Sequence, residues 1–187
     1  MKVASFLGVI ATGAMVVILL GHIDLSVPWV VAVGGMMATA ATAWGPAGQA
    51  LAIPFGVGCG VLLGVINGAG VAYLRLPSMV VTLAINAVAQ GLMIVHTGGF
   101  APQDAASPAM RTLATGQLVL GLPNALLVWG VIGTATVWLL TRTVFGRTVY
   151  AIGNCERAAY LSGAPTRAVV LVAFALAGGL SAFGGVL

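Results

Sequence analysis

The chain has 187 residues, of which 60% are hydrophobic and only 5% are charged, and its formal net charge is +4. A soluble domain carries about 25% charged residues, so seven basic and three acidic side chains are too few to cover a soluble fold of this length. The small charge also argues against a nucleic-acid partner. Because the chain lacks the long period-two alternation of a membrane barrel, and glycine is frequent in transmembrane helices, the composition indicates α-helices in a lipid bilayer.

Six apolar segments of about the length that crosses a bilayer follow one another along the chain, at roughly 3–22, 27–44, 49–73, 78–97, 122–141 and 168–187. Short polar turns separate most of them, and two longer polar segments lie at 98–121, with Asp104 and Arg111, and at 142–167. The sequence therefore predicts an all-α fold. We expect one transmembrane domain over 1–187, a polytopic membrane helical bundle with about six transmembrane helices.

The basic residues predict the orientation, because lysine and arginine are enriched in cytoplasmic loops. Alternating the spans puts five arginines on the side of the 142–167 segment and only Lys2 and Arg111 on the other. We therefore expect 142–167 to be a cytoplasmic loop and the N-terminus to lie outside. That placement, together with an apolar C-terminal end, suggests a chain that is incomplete at both ends.

A row of glycines marks the third span, where Gly56, Gly60, Gly64 and Gly68 recur every four residues and so share one helix face. Small residues at this spacing let a second helix approach closely. We interpret the row as a helix-packing surface, with a role in lining a pathway as the alternative.

Four polar residues are candidates for a translocation pathway. Asp24 lies near a membrane boundary, where it either caps the helix that starts after Ser26 or takes part in gating. Thr82, Asn86 and Gln90 share one face of the fourth span. In lipid, such side chains face other helices or a water-filled path, and the sequence leaves both interpretations open.

The residue types needed for catalysis are not grouped. Cys59 and Cys155 lack the spacing of a metal or redox site, and His22 and His96 stand alone in different segments. There are no paired acids or Ser/Lys dyad inside the spans, and no G-x-x-x-x-G-K-[ST] phosphate loop. We therefore predict no catalytic residue, no metal site and no cofactor, and expect that the chain is not an enzyme and cannot hydrolyse ATP alone.

The segment AIGNCERAAYLSGAPTRAV (151–169) predicts a short amphipathic helix. Asn154 is placed to cap it, Ser162 and Gly163 end it, and Pro165 opens the next turn. The helix would carry Glu156, Arg157, Ala158 and Ala159. It would serve either as a docking element for a soluble partner or as a solvated loop that anchors the topology.

Three stretches carry a resemblance to a known family. They are GHIDLSVPWVVAVGGMMA, VINGAGVAYLRLPSMVVTLA and FGRTVYAIGNCERAAYLSGAPTRAVVLVAFALAGGLSAFGGVL. They resemble the patterns G-I-D-L-S-V-G, G-x-x-N-G and G-R-x-x-Y-A-x-G-x-N-x-x-A-A-x-x-S-G of the permease subunits of ABC importers for ribose, xylose and related sugars. The chain departs from these patterns at His22 and Pro28, and in the spacing between Gly153 and Asn154. The resemblance extends over essentially the whole sequence.

This resemblance implies a type II importer fold in the bacterial inner membrane, with about ten spans in the full subunit, of which this chain would hold the second to the seventh. It implies two permease subunits, identical or different, two separate ATP-binding cassette subunits, and a periplasmic binding protein that delivers a monosaccharide or similar small polar solute. Residues 151–165 would then be the coupling helix in the ATPase cleft. The alternatives are an ion-coupled secondary transporter, for which Asp24 is the available acid, and an intramembrane enzyme, for which the required residues are missing.

Overall fold

The computed structural model describes residues 2–99, 106–119 and 122–187, which form a helical bundle. Its elements are α1 (Lys2–Leu19), α2 (Val27–Thr42), α3 (Pro46–Ala72), α4 (Ser78–Thr97), α5 (Pro108–Thr115), β1 (Gln117–Val119), β2 (Leu122–Pro123), α6 (Asn124–Arg142), α7 (Val144–Leu161) and α8 (Thr166–Val186). Each of the six predicted apolar segments coincides with one helix, namely α1, α2, α3, α4, α6 and α8. The predicted all-α membrane fold is thereby confirmed.

The six apolar helices differ in length. By length and composition, α3, α4, α6 and α8 can each cross a membrane, whereas α1 and α2 are apolar but shorter. Large apolar side chains on the outer faces stay exposed, for example Val95 on α4 and Val131 on α6, at 80% and 70%. Such faces suit hydrocarbon surroundings, in which apolar side chains need no cover.

The centre of the bundle is α8, which packs against α1, α2, α3 and α7. Phe174 and Ala177 on this helix are fully buried, and Phe174 shares a cluster with Val17 of α1 and Val71 of α3. These four helices therefore surround α8, and its most extensive neighbour is α3.

The glycine row of α3 lies at these helix contacts. A Cβ added to Gly60 would collide with Ala182 and with the Gly178 carbonyl of α8, and one added to Gly64 would collide with the Phe174 carbonyl. At Gly68 the added atom would lie 2.8 Å from Cα of Leu171. Gly56 instead faces α2, where its Cβ would meet the Gly34 carbonyl. The backbone of α3 therefore lies so close to α8 and α2 that there is no room for a side chain at these glycine positions.

The predicted polar segments hold more regular structure than the sequence indicated. In the described part of 98–121, Pro108–Thr115 forms α5, whose start is capped by Ser107 Oγ, which accepts a hydrogen bond from Met110 N at 3.3 Å. A two-stranded antiparallel ladder then pairs Gln117 with Pro123. Asp104 lies outside the described residues.

The segment 142–167, predicted as a loop that contains a short helix, is helical over most of its length, because Val144–Leu161 forms α7. Thr143 Oγ1 accepts a hydrogen bond from Gly146 N at 3.3 Å and so caps its start. Val149 and Ile152 are buried in a cluster with Val16 of α1 and Leu140 of α6. These long-range contacts stabilise a helix that is less apolar than the membrane-spanning helices.

Candidate functional site

The link between α1 and α2, residues 20–26, is a non-helical segment whose polar groups are paired. Asp24 Oδ1 accepts hydrogen bonds from Ser26 N at 2.8 Å and from Ser26 Oγ at 2.6 Å. Asp24 therefore does not cap α2 directly, because its carboxylate accepts hydrogen bonds from Ser26, the residue that precedes α2, and not from an N–H group of the helix. Asp24 is half-buried and Ser26 is fully buried.

Asn67 of α3 extends this pairing into the bundle. Its Nδ2 donates a hydrogen bond of 2.8 Å to Ser26 Oγ, and its side chain is fully buried. Asp24, Ser26 and Asn67 thus form one connected polar chain that joins the α1–α2 link to α3. Asn67 was not among the predicted site residues, although a lone amide in an apolar helix, and its place in the quoted G-x-x-N-G pattern, both mark it as unusual.

The start of α4 holds the same link from the other side. Ser78 Oγ accepts a hydrogen bond from Ile23 N at 3.2 Å, and Thr82 Oγ1 accepts one from Leu25 N at 3.0 Å. Thr82 is fully buried. Of the predicted polar row, Thr82 therefore lies beside Asp24, while Asn86 is half-buried one turn further along and Gln90 is exposed.

Two amide oxygens in this region have no protein partner. Among the described residues, Oδ1 of Asn67 and Oδ1 of Asn86 are buried and accept no hydrogen bond. A buried acceptor without a donor is unfavourable by roughly 1–3 kcal/mol. Both oxygen atoms can therefore accept a hydrogen bond from a hydroxyl group or a water molecule.

A cavity of about 510 Å³ opens at the same end of the bundle. The link between α1 and α2, the end of α3, the last turns of α7 and the start of α8 contribute its walls, which include His22, Arg75, Glu156, Arg157, Tyr160, Thr166 and Arg167. Three of the five arginines predicted to share one side of the membrane therefore surround one cavity. The His22 ring packs against Phe174 with 6.0 Å between ring centroids. Burial lowers the pKa of His22, and nearby Glu156 opposes that shift.

The predicted coupling segment forms the last turns of α7. The helix is interrupted at Cys155, whose φ of −160° and ψ of 98° are extended, so the break falls one residue after Asn154, the predicted cap. The helix then ends at Leu161 with Ser162 as its C-terminal cap, and Gly163 has a φ of +81°, the left-handed conformation that glycine adopts without a steric penalty.

The outer face of this segment differs in part from the prediction. Asn154, Glu156, Arg157, Ala158, Ser162 and Gly163 are exposed. Ala159, which was predicted to lie on the coupling helix, is only 6% exposed and packs in the cluster that contains Val16 and Val169. Tyr160 and Leu161, which sequence reasoning missed, are 59% and 78% exposed. An exposed aromatic and an exposed leucine next to charged residues are typical of a protein-binding surface.

Apolar helices that pack through small residues, with a buried polar chain and an arginine-lined cavity at one end, define a multi-pass α-helical membrane protein. The chain belongs to the family described as branched-chain amino acid transport system / permease component, whose model matches residues 1–187. This confirms the resemblance to importer permeases, and the protein is a multi-pass protein of the inner membrane.

Curated relatives agree with this membership. The chain is 34% identical over 186 residues to the L-arabinose ABC transporter permease protein AraH of Azospirillum brasilense, covering 98% of this chain and 53% of that protein. It is 33% identical over 189 residues to the autoinducer 2 import system permease protein LsrC of Shigella flexneri, again with 98% and 53% covered. The chain thus spans about half the length of these relatives. No solved structure matches it.

Proposed function

We propose that this chain is part of the membrane-spanning permease subunit of an ATP-driven importer, which translocates a monosaccharide or a similar small polar solute delivered by a periplasmic binding protein. The observation that carries the proposal is the match of nearly the whole chain to permease proteins that are named for the import of L-arabinose and autoinducer 2. The family membership and the apolar helices support the same role.

The energy for transport would come from a partner. The sequence has no G-x-x-x-x-G-K-[ST] phosphate loop, so we assign ATP hydrolysis to a separate ATP-binding cassette subunit. A second permease subunit, identical or different, completes the pathway in this proposal. Neither a metal nor a cofactor is needed for such a conduit.

We assign the coupling to the ATPase to the last turns of α7. This segment presents charged groups at Glu156 and Arg157, the small exposed Ala158, and the exposed apolar side chains of Tyr160 and Leu161. Because Ala159 of this segment is buried in the cluster that also holds residues of α1, α6 and α8, a force on the outer face would pass to these helices. That combination of a free outer face and a buried inner face supports a coupling role.

The polar chain around Asp24 is our candidate for the pathway end. Sugar hydroxyls are hydrogen-bond donors, and Oδ1 of Asn67 and Oδ1 of Asn86 lack a protein donor among the described residues. Thr82 and Ser78 hold the α1–α2 link in place beside them. We propose that movement of this link alters access to the two amides, and that Gln90, which is exposed on the same helix, lies at the far end of the row.

The alternative, an ion-coupled secondary transporter, would need Asp24 as its ion site. Its Oδ1 already accepts two hydrogen bonds from Ser26, so the carboxylate stabilises the local turn. This observation favours the importer over the ion-coupled transporter.

Uptake by the full-length permease in proteoliposomes tests the proposal. We expect uptake of labelled L-arabinose or a related monosaccharide only when the ATPase subunit, ATP and the binding protein are all present. Uptake that proceeds without the ATPase and stops when the proton or sodium gradient is collapsed would contradict the importer and support the alternative.

The cytoplasmic location of the coupling segment can be tested with a native residue. Cys155 is exposed at the break in α7, whereas Cys59 is only partly exposed in α3. In intact cells that produce a full-length permease with Cys155 as its single cysteine, we expect labelling by a permeant maleimide but not by an impermeant one. Labelling of Cys155 by the impermeant reagent would reverse the proposed orientation, and a Cys155→Ser variant provides the background.

A further inference from the structure

We propose that the arginine-lined cavity binds the phosphate group of an anionic ligand. Arg75 reaches it from the end of α3, Arg157 from the last turns of α7 and Arg167 from the first turn of α8. Three elements thus each supply one arginine to a single cavity of about 510 Å³.

The charge of the lining is unbalanced. Glu156 is the one carboxylate among the lining residues, so it can neutralise at most one of the three guanidinium groups. Guanidinium groups bind phosphate oxygens through paired, charge-assisted hydrogen bonds. A phosphate monoester or a double phosphodiester carries about two negative charges, which matches the two positive charges left on the walls.

The backbone at Arg75 points to the same conclusion. Arg75 has a φ of +55°, and it is the one non-glycine residue with positive φ in the described ranges. An L-residue other than glycine in this conformation is unfavourable by roughly 1–2 kcal/mol, and such residues concentrate at ligand clamps. A glycine at this position would avoid the strain. We therefore infer that the side chain of Arg75 has a function that outweighs the unfavourable backbone conformation.

The rest of the lining suits a phosphate that is attached to a hydroxyl-bearing body. Tyr160 and Thr166 supply hydroxyl groups and Glu156 supplies an acceptor. A glycerol phosphate fits this chemistry, and it occurs both in phospholipid headgroups and in soluble metabolites. Basic pockets between transmembrane helices on the cytoplasmic side bind anionic headgroups, and a free phosphate ester has the same recognition chemistry. A protein carboxylate, by contrast, needs only one guanidinium for a bidentate pair.

The test uses the full-length permease assembled with its ATPase subunit in nanodiscs. One variant carries Arg75→Gly and Arg167→Gln, because Arg75→Gly removes a guanidinium while relieving the backbone strain and so does not endanger folding. The matched control is Arg147→Gln, which removes an exposed arginine of α7 outside the cavity lining.

Two arms distinguish the sources of the phosphate. In phosphatidylcholine nanodiscs, inorganic phosphate and glycerol 3-phosphate are titrated by calorimetry. In nanodiscs that also contain cardiolipin or phosphatidylglycerol, native mass spectrometry detects retained anionic lipid. We expect the double variant to weaken binding about tenfold per arginine removed, with the control unchanged and with affinity falling as salt is raised.

Loss in the lipid arm alone identifies a headgroup as the ligand, and loss in the soluble arm alone identifies a free phosphate ester; either supports the proposal. Equal binding by the double variant and the control would overturn it. Absence of phosphate binding in both arms, with loss of the ATPase subunit from the double variant, would also overturn it and would assign the arginines to an acidic surface of that subunit. None of these readouts depends on transport.

Discussion

The contact between α3 and α8 and the polar end of the bundle are built in opposite ways. At the contact, Gly60 and Gly64 face Gly178 and Ala182 so closely that an added Cβ would overlap backbone atoms. At the polar end, a non-helical link, a break at Cys155 and a left-handed Arg75 surround an open cavity. The contact has no room for a side chain at Gly60 or Gly64, whereas several charged side chains line the cavity at the polar end.

This difference indicates a division of labour. In lipid no hydrophobic effect drives helices together, so close packing of small residues is what holds α8 at the centre. The polar end has fewer such contacts and more hydrogen bonds to irregular backbone, which are features of a region that can rearrange. The α3–α8 contact is therefore expected to stay fixed while the polar end moves.

The largest effect is expected at the fixed contact. Gly64→Leu places a branched side chain against the Phe174 carbonyl, where the obstacle is backbone that cannot turn aside. Overpacking typically destabilises by about 1–3 kcal/mol, and backbone obstacles place this variant at the upper end of that range. We expect little full-length protein in the membrane, measured by immunoblot and by size exclusion in detergent.

A matched control lies on the same helix. A Cβ added to Gly58 would meet nothing within 4 Å, so Gly58→Leu should leave membrane abundance and detergent stability near the parent level. Equal behaviour of the two variants would show that the α3–α8 contact is not the stabilising interface.

The next effect is expected on the outer face of α7. Ala158→Trp adds a large ring at an exposed position of the proposed coupling segment, and the ring would block a partner's cleft. We expect ATPase binding and solute uptake to fall at least about tenfold, as for loss of a central interface contact, with membrane abundance unchanged. Ala151→Trp, at an exposed position before the break, is the control; normal uptake by Ala158→Trp would refute the coupling assignment.

A smaller effect is expected inside the polar chain. Asn67→Ala removes the donor to Ser26 Oγ, and loss of one buried hydrogen bond destabilises by about 1–3 kcal/mol. The double variant Ser26→Ala with Asn67→Ala should be less destabilised than the sum of the single variants, since residues in one network are coupled. Additive losses in thermal unfolding of the full-length protein would show that the bond does not contribute.

Sequence reasoning recovered the long elements and missed those that depend on tertiary contacts. Six continuous apolar segments are enough to predict six helices. Only the last turns of α7 were predicted, as a short helix, because the contacts of its first half, Val149 and Ile152 against α1 and α6, do not appear in a local sequence pattern. Thr82 and Asp24 were predicted as candidates, but only the structure shows that Leu25 N joins the α1–α2 link to Thr82. Likewise, only the structure shows that Ala159 is buried whereas its neighbour Ala158 is exposed.

The smallest effect is expected from the histidine of the α1–α2 link. Burial lowers the pKa of His22 below its usual 6.5, with Glu156 acting in the opposite direction. The same cavity wall also carries three positive charges, those of Arg75, Arg157 and Arg167. Because the unfolded chain then binds the proton more tightly than the folded one, the contribution of His22 to stability is complete above pH 6.5 and is lost as the pH falls through the lower folded pKa.

We therefore expect the melting temperature of the full-length permease in detergent to decrease as the pH is lowered from about 7.5 to about 5, with part of that decrease due to His22. His22→Gln cannot take up a proton and should show a flatter profile, whereas His96→Gln, which changes an exposed residue at the end of α4, should keep the parental slope. The effect is small because Glu156 favours the protonated ring and partly cancels the influence of burial. If His22→Gln kept the parental slope, protonation of His22 would not contribute to the pH dependence of the melting temperature. The α1–α2 link would then be as insensitive to protonation at this position as the α3–α8 contact.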